Sequence, residues 1–137
     1  MITKADIENI ILDVCEPFGI ADVTTEPPKL DDKEGDGLKK EMLEIFVKKE
    51  SDGQRWLPRF VDVNVCIPDF KSGRQNASRL EEMERIAGNL FGKAYASGIM
   101  DGSRYRYKRD SIGIEQDKPL KCHYVNVRIL FETINVI

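Results

Sequence analysis

Apolar and polar positions along the chain fall into two helical and four strand patterns. Over residues 3–16, Ile7, Ile10, Ile11 and Val14 recur at helical spacing, Thr3 with Asp6 can cap the first turn, and Pro17 and Gly19 end it. In EMLEIFVKKE (41–50), Leu43, Ile45 and Val47 share one face of a strand, and Glu44, Phe46 and Lys48 share the other. SDGQ (51–54) supplies a turn, with Asp52-Gly53 as the hairpin signal. RFVDVNVCIPD (59–69) then alternates throughout: Val61, Val63, Val65 and Ile67 inward, Asp62, Asn64 and Cys66 outward. Pro58 and Pro68 stand at its two ends, where neither removes a central ladder bond.

After the break DFKSGRQ (69–75), a second helix is predicted from Asn76 or Ser78 to Ser97. Ser78 and Glu81 match a capping box, Leu80, Met83, Ala87, Leu90 and Ala94 form a stripe widened by Ile86 and Phe91, and Gly98 is placed as the C-terminal cap. Two further strands follow near 103–115 and 121–136, the last with Val125, Val127, Ile129 and Phe131 inward against Asn126, Arg128 and Glu132. One-faced strands imply a mainly antiparallel sheet covered on its apolar side by the two helices. The expected class is therefore α+β in the order α-β-β-α-β-β, one domain over 1–137. Between the first helix and the first strand, DVTTEPPKLDDKEGDGLKKE (22–41) breaks every periodicity with prolines, glycines and charge, and is expected to be a mobile acidic loop.

Composition narrows the function classes. Hydrophobic residues make up 41% and charged residues 33%, a globular mixture, and the net charge of −3 argues against general nucleic-acid binding. No apolar run approaches the ~20 residues of a membrane span. MITKADIENIILDVCEPFG carries charge through its apolar stretch and does not read as a secretory signal. Cys15, Cys66 and Cys122 form neither a disulfide framework nor a zinc pattern, fit a reducing compartment, and read as packing residues.

Motifs that could carry chemistry each lack a part. Asp32, Glu34, Asp36 and Gly37 match the start of a calcium loop, but the closing bidentate carboxylate falls on Leu43. GNLFGKA (88–94) is one residue short of a phosphate-binding loop and has Ala94 where magnesium needs a hydroxyl. The single histidine, His123, opens a strand without a positioned partner in the local sequence. Asp62 and Asp69 point in opposite directions on a period-two ladder and make no catalytic pair. No metal or cofactor is expected, and no catalytic residue.

The densest cationic stretch is SRYRYKRD (103–110). Alternation sets Arg104, Arg106 and Lys108 on one face and Tyr105, Tyr107 and Arg109 on the other. Nucleic-acid readers built on sheets need aromatics and cations on one exposed face, and here alternation separates them. Three readings stay open: a solvated face that blunts aggregation, a protein contact, and a polyanion surface.

The strand FVDVNVCIPD, the helix SRLEEMERIAGNLFGKAYASG, and the closing strands SRYRYKR and KCHYVNVRILFETINV give residues 42–136 a texture that resembles the tail-terminator, or tail-completion, proteins of long-tailed bacteriophages. That resemblance implies a homo-oligomeric ring of about six copies, closed by two different complementary patches, at the end of the tail tube and facing the head connector. It implies a virion structural protein assembled in the bacterial cytoplasm, with itself and other tail or connector proteins as partners and no enzymatic activity. Protein-contact candidates are Arg104, Tyr105, Arg106, Tyr107 and Lys108, and opposite them Asp31, Asp32, Glu34 and Asp36. An oligomeric adaptor with another partner, and an enzyme whose site forms between subunits, are the competing classes.

Overall fold

The computed structural model describes residues 1–26 and 37–134. Among them are two α-helices, α1 (Lys4–Val14) and α2 (Ala77–Leu90), and six strands: β1 (Val23–Thr24), β2 (Met42–Val47), β3 (Leu57–Pro68), β4 (Ala96–Met100), β5 (Ser103–Asp117) and β6 (Cys122–Ile134). The strands form one sheet in the order β1-β2-β3-β6-β5-β4. All neighbours are antiparallel except β1 and β2, which are parallel, so the sheet is mixed.

The period-two pattern builds the core. Leu43, Ile45, Val61, Val63, Val65, Ile67, Val125, Val127, Ile129 and Phe131 are all buried, and they share one cluster with Ile7, Ile10 and Ile11 of α1 and Leu80, Met83 and Ala87 of α2. Each of these side chains other than that of Ala87 contributes roughly 1.5–3 kcal/mol on leaving water. Thr3 and Asp6 form the reciprocal capping box that opens α1. Arg79 on α2 makes a bidentate pair with Glu41 at 2.7 and 2.8 Å, tying the approach to β2 to the helix. No helix among the described residues is long and apolar enough to cross a membrane.

Four sequence expectations need correction. First, Val23–Thr24 of the expected loop 22–41 pairs with Leu43 and Glu44 as a strand, and Leu38 bonds to Leu120 at 2.7 Å. The centre of that loop, including Asp31, Asp32, Glu34 and Asp36, lies outside the described residues. Second, α2 stops at Leu90, not Ser97. Phe91 turns extended and drives its ring into the core at 1% exposure, and the chain then forms β4. The order is therefore α-β-β-β-α-β-β-β. Gly98 is not a helix cap; it lies in β4 beneath the Tyr105 ring, where any Cβ would collide with the phenol.

Third, the tight hairpin turn is Asp101-Gly102, not Asp52-Gly53. Asp101 and Gly102 both have positive φ (50° and 75°), as a two-residue type I′ turn demands, whereas β2 and β3 are joined by the longer segment 48–56. Fourth, α2 is capped by Asn76, whose side chain accepts from the Arg79 N–H, and not by Ser78. Asn76→Ala should then cost about 1 kcal/mol of stability in urea unfolding, and Ser78→Ala less than about 0.5 kcal/mol. Equal losses would return the cap to Ser78.

The outward face is not uniformly solvated. Asn126 Nδ2 donates to Asn64 Oδ1 at 2.7 Å, and Asn64 Nδ2 donates to Glu44 Oε1 at 3.3 Å, so a polar row crosses three strands with Glu44 and Asn64 buried. Beside it Cys66 and Cys122, outward by alternation, are buried with Leu120 under the half-buried Leu38, Met42 and Tyr124.

Candidate functional site

β5 places its side chains as alternation requires. On the inner face Tyr105 and Tyr107 stack against Phe131, with ring centroids 5.4 and 5.9 Å away, and Phe91 meets Tyr107 edge-on at 6.4 Å. Burial raises the Tyr107 phenol above its ordinary pKa. Both tyrosines are half-buried and pack against the core, so as contact candidates they offer ring edges on the inner face, and the Tyr105 ring covers Gly98.

On the outer face Arg106 is fixed in place. Its Nε–H donates to Glu132 Oε1 at 3.2 Å, and its guanidinium lies 4.1 Å from the Trp56 ring centroid and 4.2 Å from that of Tyr95. The Tyr95 hydroxyl donates to the same Glu132 oxygen, a bond that raises the phenol pKa. Lys108 Nζ stands 4.7 Å from the Tyr95 ring. Guanidinium stacking on aromatic faces contributes ~0.5–2 kcal/mol per pair, the more so when shielded from water. Arg104 is exposed at the end of the row, beside Ile99, which is 69% exposed. A cavity of about 550 Å³ runs along this margin between Trp56, Tyr95, Ile99, Arg104, Tyr105 and Arg106.

This corrects the argument from alternation. Tyr105 and Tyr107 are separated from the cations, but Trp56 and Tyr95 bring aromatic rings to the cationic face from other segments. Neither was legible as a site residue, because each reaches Arg106 only through tertiary folding. The faces of both rings that meet Arg106 are already occupied by its guanidinium and are not free to stack a base there.

Other candidates resolve differently. His123 does have a partner: its Nδ1 lies 2.7 Å from Asp69 Oδ1, with both side chains largely buried. The pair ties the end of β3 to the start of β6. A cavity of about 820 Å³ adjoins it, rimmed by Lys39, Lys71, Lys118 and Lys121 with exposed Phe70. Asp62 instead meets Lys48 at 3.8 Å and Asn126 at 3.4 Å, away from Asp69. Gly92 stands beyond the end of α2, and its carbonyl accepts the Arg109 N–H at 2.8 Å, so GNLFGKA forms no phosphate loop.

All three cysteines are free and buried. Burial pushes the Cys15 thiol up to about 12. The hydrogen bond with Cys122, burial and nearby Glu44 push Cys66 up as well, which leaves neither as a ready nucleophile at neutral pH. Among the described residues no group of three or more His, Cys, Asp or Glu side chains is placed to hold a metal ion. What the molecule offers is an aromatic-clamped cationic surface next to β4, the last strand of the sheet among the described residues. No protein-family model matches the chain, and no curated protein matches it.

Proposed function

We propose that this chain is a structural subunit of the phage or prophage tail-completion type, assembling as a ring at the end of the tail tube and meeting the head connector through the outer face of β5. The observation that carries this reading is the clamp on Arg106, with Trp56, Tyr95 and Glu132 holding a Tyr/Trp/Arg surface rigid beside exposed Ile99. Rigid aromatic and arginine anchors are the side chains that dominate protein contacts, and holding them in place beforehand lowers the ordering cost of association. A ring also needs a second, complementary patch, and the acidic stretch Asp31, Asp32, Glu34 and Asp36 has the required charge. The same surface would serve an oligomeric adaptor, from which assembly on tail tubes distinguishes the tail reading.

Sedimentation and negative-stain imaging of the purified protein test the proposal, with closed rings as the expected result. Arg104→Glu/Lys108→Glu should abolish or strongly weaken rings and tail completion while leaving the fold intact, because both side chains are outward and carry no ion pair among the described residues. A strictly monomeric protein, or undiminished assembly by the double variant, would sink it.

One observation favours a second reading. Trp56 and Tyr95 bring aromatic rings to the cationic face, the ingredients of a single-strand binding surface once a base displaces Arg106 from a ring. Sub-micromolar binding of single-stranded DNA at physiological salt, lost on Trp56→Ala, would select that reading over the first.

A further inference from the structure

The Asp101-Gly102 turn determines which backbone groups of β4 are free. In a two-residue hairpin the closing pair, Met100 and Ser103, exchanges both its hydrogen bonds, and bonded pairs then alternate with non-bonded ones. Gly98 opposite Tyr105 and Ala96 opposite Tyr107 therefore bond to β5. Ser97 opposite Arg106 and Ile99 opposite Arg104 are non-bonded pairs, so their N–H and C=O groups point out of the sheet. The bond from Arg109 N to the Gly92 carbonyl fits the same parity along β5. β4 ends the sheet, and no described segment lies beyond it.

We infer that β4 is a strand-addition site for an extended acidic segment of a partner protein, with alternating carboxylate and small apolar side chains. Backbone pairing would come from the outward groups of Ser97 and Ile99. Acidic character follows from the charge alongside: Arg104, Arg106 and Lys108 line the outer face within two strands of the edge, and Glu132, the carboxylate paired with Arg106, is already held by Arg106 and Tyr95. Alternation follows from the two faces of the edge. Outward side chains of an added strand lie beside Ile99 within reach of Arg104, whereas inward ones meet the half-buried Tyr105 ring, which covers Gly98 and lines the cavity at this margin. Symmetric pairing of β4 with a second copy would bring two like-charged rows together, which disfavours that occupant. This inference rests on the sheet edge and does not require the tail reading.

The probe is a fluorescein-labelled peptide alternating glutamate and valine, set against one alternating lysine and valine. Anisotropy should show saturable binding of the acidic peptide only, weakened about tenfold or more by Arg104→Glu/Lys108→Glu. Amide exchange on the wild-type complex should slow about tenfold or more at Ser97 and Ile99, while Gly98 and Met100, bonded to β5 beforehand, change little. Ile99→Pro removes an outward donor without removing a ladder bond and should abolish binding with little loss of stability. Absence of binding, equal binding of the lysine peptide, or binding without protection at Ser97 and Ile99 would overturn the inference. So would protection at those two amides that rises with protein concentration alone, since the occupant would then be a second copy.

Discussion

Arg106→Glu should destabilise the protein by about 2–3 kcal/mol, whereas Arg104→Glu, two residues away on the same face, should change stability by less than about 0.5 kcal/mol. The difference comes from what each side chain touches. Arg106 donates to Glu132, whose side chain is 12% exposed, and fills the gap between Trp56 and Tyr95. Reversing it sets two carboxylates against each other where only the Tyr95 hydroxyl remains to bond them. Breaking a fully buried pair costs ~3–5 kcal/mol; the 30% exposure of the Arg106 side chain lets water relieve part of that. Urea unfolding with unchanged slope checks the value. Equal midpoints for the two variants would mean that the clamp contributes contact surface but no stability. The same asymmetry is why Arg106 is left out of the assembly test: its reversal would confuse lost contact with lost fold.

The largest loss is expected at Phe131→Ala, about 3–5 kcal/mol. Phe131 is fully buried, and both Tyr105 and Tyr107 stack on it nearly parallel, at 13° and 5°. Removing the ring leaves a cavity and takes the platform from two aromatic neighbours, each contact contributing ~0.5–1.5 kcal/mol beyond its area. Near-ultraviolet circular dichroism should lose tyrosine signal along with the stability, and Phe131→Leu should recover most of the stability. A loss below about 1.5 kcal/mol would show that the core collapses around the site.

The strand cores were legible because period-two alternation is a local property: Val61, Val63 and Val65 need only their neighbours in sequence to declare a face. Thr3 and Asp6 were legible for the same reason. The end of α2 was not, since Ala94 and Gly98 continue a helical stripe and mimic its cap, while Ser97 and Gly98 are weak strand formers. The corrective signal was the Asp101-Gly102 dipeptide, a stronger hairpin mark than Asp52-Gly53 because a strand pairs directly on each side of it. β1, at two residues, is too short to show any period. Burial of Glu44 and Asn64 depends on which strands lie beside β3, a choice that one strand's pattern does not contain. Trp56 and Tyr95 were missed likewise: each joins Arg106 from a segment outside β5.

The strand order also bears on how fast the chain can reach this state. β2 with β3, and β4 with β5 and β6, are neighbours in sequence and can close as local hairpins. The central seam is different: β3 pairs with β6 along its whole length, Val61 facing Ile129, with α2, β4 and β5 lying between them in the chain. Closing that large loop costs entropy before any ladder bond of the seam forms, so the barrier to folding lies in joining two preformed hairpin units. Until they join, the apolar faces of both units and the unpaired edges of β3 and β6 are open to other chains. The most buried ladder of the finished molecule is therefore the last surface to be protected during its synthesis, and the interval before it closes is when the nascent chain is most prone to pair with the wrong partner.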